Sequence, residues 1–153
     1  MPLDHDPVRL ALLSDKAIHW AEARIGDADY QFECLGFVED AYEQSNDLEM
    51  FGGDSAAESA ARYAPLNPGE PPRGAFAFYR CEGELDGRYQ DWGHVGLATG
   101  SGRIIHTWDR IRADHYLQVE RLDNAPGWTR PVYLGWVAPQ RFLQGSRPGR
   151  PGT

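Results

Sequence analysis

Between residues 65 and 74 the chain reads PLNPGEPPRG, four prolines and two glycines in ten residues, and the hydrophobic period differs on its two sides. Upstream, apolar residues recur at three- and four-residue spacing, the period of a helix with one buried face. Downstream they come in short β-branched and aromatic runs separated by turn residues, the pattern of strands. The chain is therefore expected to fold as helices first and then a mainly antiparallel sheet of about five strands, an α+β architecture.

The first helix is signalled by Asp6-Pro7, a capping carboxylate followed by proline at the first helical position. It runs through VRLALLSDKAIHWAEARIG to a stop at Gly26, with a break near Ser14. A second helix begins at about Cys34 and places Phe37, Val38, Ala41 and Tyr42 on one face, with Glu39, Asp40 and Glu43 on the exposed side. A third, short helix fits DSAAESAARYA, capped by Asp54 or Ser55.

The expected strands are 75–79, 94–98, 103–108, 116–122 and 132–137. The acidic run CEGELDGRYQD between the first two reads as a solvated loop. Gly100–Gly102 reads as a hairpin turn, too short to cradle a phosphate. With no internal repeat and no linker, residues 1–143 form one domain and 144–153, which lack an apolar pattern, a disordered tail.

A formal net charge of −8 without a basic patch repels phosphate backbones, so nucleic acid is not an expected partner. No segment approaches the roughly 20 apolar residues of a membrane span, and no basic leader with an apolar run opens the chain. The expectation is a cytoplasmic protein or one exported without a leader, with Cys34 and Cys81 reduced.

Cys34 at a helix start is where chemistry is expected, because a helix N-terminus supplies a dipole and unpaired N–H groups that stabilise a thiolate. A nucleophile also needs a base. Of the five histidines, His94 and His106 lie in neighbouring strands of one hairpin. A turn centred on Gly100 puts them directly opposite on one face, near enough to hydrogen-bond as a base and its orienter. Gly96, on that same face, leaves room for a helix end or a substrate backbone. His5, His19 and His115 read as surface residues, and Cys81 as a bystander. Trp92, Trp108, Trp128 and Trp136 read as core or sheet cover, with Trp92 and Trp108 flanking the histidine strands. His106, Asp109, Asp114 and His115 match no compact zinc spacing, so no metal is expected there.

Three stretches resemble one family. ECLGFVEDAY resembles the Asp-Cys-Ser-Gly-Leu-Val helix start of the NlpC-type cysteine peptidases. GHVGLATGSGRIIHTW resembles their Ser-His-Val-Gly-Ile-Tyr, Gly-X-Gly, Ile-His-Ala hairpin, and PPRGAFAFY their Pro-Gly-Asp-Leu-Val-Phe-Phe strand. The order and spacing agree from about residue 10 to 140. The resemblance implies a papain-like fold and a Cys-His-His triad of Cys34 as nucleophile, His94 as general base and His106 as orienter. It also implies hydrolysis of a peptide or isopeptide amide bond in cell-wall-derived peptides, often after γ-D-glutamyl, with no metal or cofactor needed, a muropeptide-like substrate as partner and oligomeric state open. The same triad would serve an amidase or acyltransferase, and the fold alone a non-catalytic binding domain.

The chain departs from the family at positions that shape substrate subsites. Glu33 replaces the aspartate before the nucleophile, Leu35 the serine after it, and Gly93 the serine before the base. The upstream Tyr-X-Trp-Gly-Gly stretch is shortened so that Tyr30 is the sole tyrosine between Gly26 and Cys34. In the family that tyrosine helps to hold the substrate's amino group.

Overall fold

A computed structural model describes residues 6–149. Helix α1 (Pro7–Glu22) opens where the Asp6-Pro7 pair predicts, with the Asp6 carboxylate accepting from the Val8 N–H at 3.0 Å. Such a cap contributes about 1 kcal/mol. The helix passes Ser14 unbroken because the Ser14 hydroxyl, 2.9 Å from Tyr42 Oη, is buried against the second helix. It stops at Glu22, four residues short of Gly26.

Helix α2 (Cys34–Asn46) buries Phe37, Val38, Ala41 and Tyr42 completely. At about 1.5–3 kcal/mol for each large apolar side chain, this stripe anchors the helix on the sheet. Glu39, Asp40 and Glu43, expected on the exposed side, are half-buried. Strand β1 (Leu48–Glu49) follows, then α3 (Ala56–Arg62), whose cap is Ser55, accepting from the Glu58 N–H at 3.1 Å.

The main sheet has five antiparallel strands in the order β7-β6-β5-β2-β8. These are β2 (Phe76–Arg80), β5 (His94–Gly100), β6 (Arg103–Thr107), β7 (Ile111–His115) and β8 (Val132–Val137). Phe76, Phe78, Val95, Leu97 and Ile105 face α1 and α2, while Ala77, Tyr79, Ala98 and Ile104 face a smaller cluster with Val119, Tyr116, Tyr133 and Trp136. Both faces are thus covered, which is why β2 reads as an uninterrupted apolar run.

Three expectations about the strand half are corrected. The acidic run forms a hairpin, β3 (Glu82–Leu85) with β4 (Arg88–Asp91), folded over a turn at Asp86-Gly87. Residues 116–122 are not a strand: Gln118–Arg121 is a 3-10 turn, and the edge strand is β7, whose Arg and Asp side chains disguise it. After β8, α4 (Pro139–Phe142) stacks Phe142 on Phe76, and within the expected tail β9 (Arg147–Pro148) pairs with β1. Order therefore extends beyond residue 143, and residues 150–153, like His5, lie outside the described residues. No helix among the described residues is long and apolar enough to cross a membrane.

Candidate active site

The N-terminus of α2 abuts the start of β5 beneath an open cleft of about 1100 Å³. Cys34 is the first residue of the helix, and Glu33, at the capping position, makes no side-chain capping bond. The first backbone N–H groups of α2 have no intrahelical partner and remain available at the cleft. Cys34 is half-buried. Burial pushes its thiol up to about 11, while the N–H groups of Val95, Leu35 and Cys34 act on the sulfur in the opposite sense. The expectation of a depressed thiol is therefore reversed: burial outweighs the helix end, and the resting group at neutral pH is the thiol. Cys81 is more fully buried and pushed to about 12, first by burial and then by Cys34, with which it shares the cleft wall.

His94 opens β5 and is 5% exposed, and His106, near the end of β6, is fully buried. Their rings meet edge to face, with His94 Nε2 and His106 Nδ1 at 2.8 Å. They meet by a different register from the expected one. Leu97 pairs with Ile105, so the same ladder carried one step further sets His106 across from Gly96 rather than His94. The two imidazoles are diagonal neighbours, and Gly96 supplies the gap: a Cβ there would lie 3.2 Å from His106 Cβ and 2.5 Å from Ile104 Cδ1. The space expected to admit a helix end or a substrate is filled by His106 itself.

Behind His106 the polar chain continues. Its Nε2 lies 2.8 Å from Asp114 Oδ2, and Arg112 donates to both oxygens of that carboxylate at 2.8 and 3.2 Å. Arg112 also donates to Asp109 at 3.1 Å. Burial holds His94 well below its ordinary value, helped by His106, and holds His106 down against the pull of Asp114. Both imidazoles are neutral at pH 7. Burial opposes ionisation of Asp114, but hydrogen bonds from His106 and Arg112 keep its carboxyl below the usual range. Asp114 was visible in the sequence only as one member of a rejected metal set. Reading IRADH as a strand would have put Arg112 and Asp114 on the face of His106.

The remaining expected site residues all line the cleft. The Tyr30 hydroxyl donates to Asp40 at 2.7 Å, and burial with that carboxylate pushes it to about 12. Glu33 is exposed at the rim and Leu35 is buried in the floor. Gly93 has a different reason to be glycine from the one expected. Its φ is +75°, and a Cβ would meet the backbone N of Ala57 at 2.5 Å, so α3 occupies the space of the family's serine. The Asp91 carboxylate holds this bend by accepting from Gly93 and Cys81 N–H, each at 2.9 Å. Trp92, Trp108 and Trp128, expected as core or sheet cover, are cleft walls. Trp108 puts its ring edge to face with His94 at 5.2 Å, and Trp128 stacks on the exposed Phe32 at 5.7 Å. Among the described residues no group of three His, Cys, Asp or Glu side chains is arranged to hold a metal.

No curated protein matches the chain. Among solved structures it is similar to RipB from Mycobacterium tuberculosis, a peptidoglycan hydrolase, at 16% identity and a TM-score of 0.50 over 84% of this chain and 67% of that one. It is also similar to RipD from the same organism, described as a non-catalytic NlpC/p60 domain protein adapted to peptidoglycan binding. That match has 15% identity and a TM-score of 0.48, over 79% of this chain and 95% of that one. At such identities the RipB likeness speaks to fold alone. The model of the NlpC/P60 family matches residues 20–132, most of the chain and every element that builds the cleft floor, and the chain belongs to the NlpC/P60 family.

Proposed function

We propose that the protein is a cysteine hydrolase that cleaves an amide bond in cell-wall-derived peptides through an acyl-enzyme on Cys34. The observation that carries this reading is the 2.8 Å contact between His94 Nε2 and His106 Nδ1 beside a cysteine at the N-terminus of α2. With Nε2 committed to His106, the ring nitrogen of His94 left to act as base is Nδ1. His94 and Cys34 line one cleft, and family membership supports the same division of roles.

In the proposed reaction His94 Nδ1 takes the Cys34 proton as the sulfur attacks the substrate carbonyl carbon. The N–H groups at the start of α2 receive the developing oxyanion. The imidazolium then protonates the leaving amine, the C–N bond breaks, and a thioester remains on Cys34. Water, deprotonated by His94, attacks the thioester and releases the acid. Thiol and imidazole are both neutral at rest, so proton transfer accompanies attack instead of preceding it. Tyr30, Glu33 and Leu35 shape the subsites, while Gly93 seats α3.

Mass spectrometry of muropeptide and γ-glutamyl peptide digests tests the reading. The expected result is a product pair differing from substrate by one water, formed by the wild type and not by Cys34→Ala. Cleavage that survives Cys34→Ala would overturn it, as would an intact substrate in every digest.

A further inference from the structure

The His94–His106 contact can be made by two arrangements of protons. In one, His94 Nε2–H donates to His106 Nδ1, and His106 carries its proton on Nε2. In the other, His106 Nδ1–H donates to His94 Nε2, which puts the His94 proton on Nδ1, where a base needs a lone pair. The imidazole pair alone does not distinguish these ladders.

We propose that Asp114 is a positioning residue that selects the first ladder, by presenting to His106 Nε2 an oxygen that can only accept. Its Oδ2 lies 2.8 Å from that nitrogen, and its side chain is 11% exposed. In the second ladder two lone pairs would face each other across that distance in a water-poor site. The carboxylate cannot turn away, because Arg112 donates to both of its oxygens and is itself tied to Asp109. The other groups near the pair impose no competing proton: Trp108 and Tyr79 meet His94 ring to ring at 5.2 and 5.8 Å, and the Tyr79 hydroxyl donates to the Tyr116 carbonyl. The relay thus runs Arg112, Asp114, His106, His94, each link fixing the donor at the next. It ends with a bare Nδ1 on His94.

This rests on the roles proposed above for Cys34 and His94, and the test separates the two. Long-range ¹H–¹⁵N spectra of ring-labelled protein at pH 7 report tautomers without any substrate. In the wild type both histidines are expected to carry the proton on Nε2; a proton on Nδ1 of either overturns the proposal, whatever the protein hydrolyses. Asp114→Ala is the decisive variant, because it leaves both ladders open. In Asp114→Asn the amide oxygen stays toward His106, since Arg112 Nε donates at 2.8 Å to the same Oδ2 that faces His106 Nε2, so the first ladder is kept.

General-base assistance contributes on the order of 10²-fold or more, and it is lost from every molecule that holds the second ladder. Cys34 alkylation by iodoacetamide at pH 7 should therefore slow in Asp114→Ala, by about 2-fold where the two ladders become equal and by more where the second is favoured, and Asp114→Asn should retain more of the rate. The wild-type and Asp114→Ala rates should converge toward pH 10, where hydroxide supplies the thiolate without His94. A uniform loss across pH would point to a structural role and sink the proposal, as would Asp114→Asn reacting more slowly than Asp114→Ala. If Asp114→Ala does not fold, the wild-type spectra decide.

Discussion

Gly96→Ala tests how the two imidazoles meet. The added methyl would lie 2.5 Å from Ile104 Cδ1 and 3.2 Å from His106 Cβ, against an ordinary carbon contact of about 3.5–4.0 Å. Ile104 is fully buried and cannot swing into solvent, and His106 is held at both ring nitrogens. Overpacking of this kind costs about 1–3 kcal/mol, and replacing glycine by alanine returns about 0.4–1 kcal/mol by restricting the unfolded chain. The net destabilisation should be about 0–2.6 kcal/mol. Against a typical total of about 5–15 kcal/mol, the variant stays overwhelmingly folded. Any larger loss of activity then measures displacement of the His106 ring. A shift of several tenths of an ångström in an orienting group should lower kcat by about 10- to 100-fold, since about 1 Å can cost 10²-fold. Urea denaturation gives the stability change, and single-turnover hydrolysis of a muropeptide gives the rate. A variant with wild-type turnover would refute the reasoning that Gly96 exists to let His106 reach His94, and so would a rate loss fully explained by unfolding.

Cys34→Ala should abolish covalent turnover and His94→Ala come close to that, with His106→Ala losing about 10- to 1000-fold, because groups acting as a unit lose activity non-additively. Equal losses for all three would deny His106 an orienting role. With its thiol at about 11, wild-type Cys34 should react with iodoacetamide ever faster from pH 8 to 10; a plateau below pH 7 would mean a resting thiolate–imidazolium pair instead. Burial, then Glu43, raises the half-buried Glu39 to about 7 from 4.5, so the folded state holds a proton that the unfolded chain has released. Stability therefore falls as pH rises through that window. Glu39→Gln, able to keep the Gly52 hydrogen bond, should raise stability by about 1–2 kcal/mol at pH 8, after discounting for partial exposure, and by much less at pH 4. Unchanged melting at pH 8 would remove Glu39 as a source of strain.

Local rules, read from the sequence alone, located the parts that depend on near neighbours. The Asp6-Pro7 cap, the buried stripe of α2 and the helix start at Cys34 follow from spacing within a few residues, as does the change of period at the proline-rich stretch. Together with the resemblance of three short segments, these determined the family and the α+β order, and they singled out Cys34, His94 and His106. What escaped was set by contacts between distant segments. A pairing offset of two residues, a shift no periodicity can reveal, decided that Gly96 and not His94 faces His106. The polar strand β7 carried too little β-propensity to be recognised, so Asp114 and Arg112 could not be joined to His106 until the sheet was assembled. The sign of the Cys34 shift was likewise tertiary. The helix end that favours a thiolate is local, but the burial that overrides it comes from packing α2 against β5, and desolvation depends on everything that excludes water.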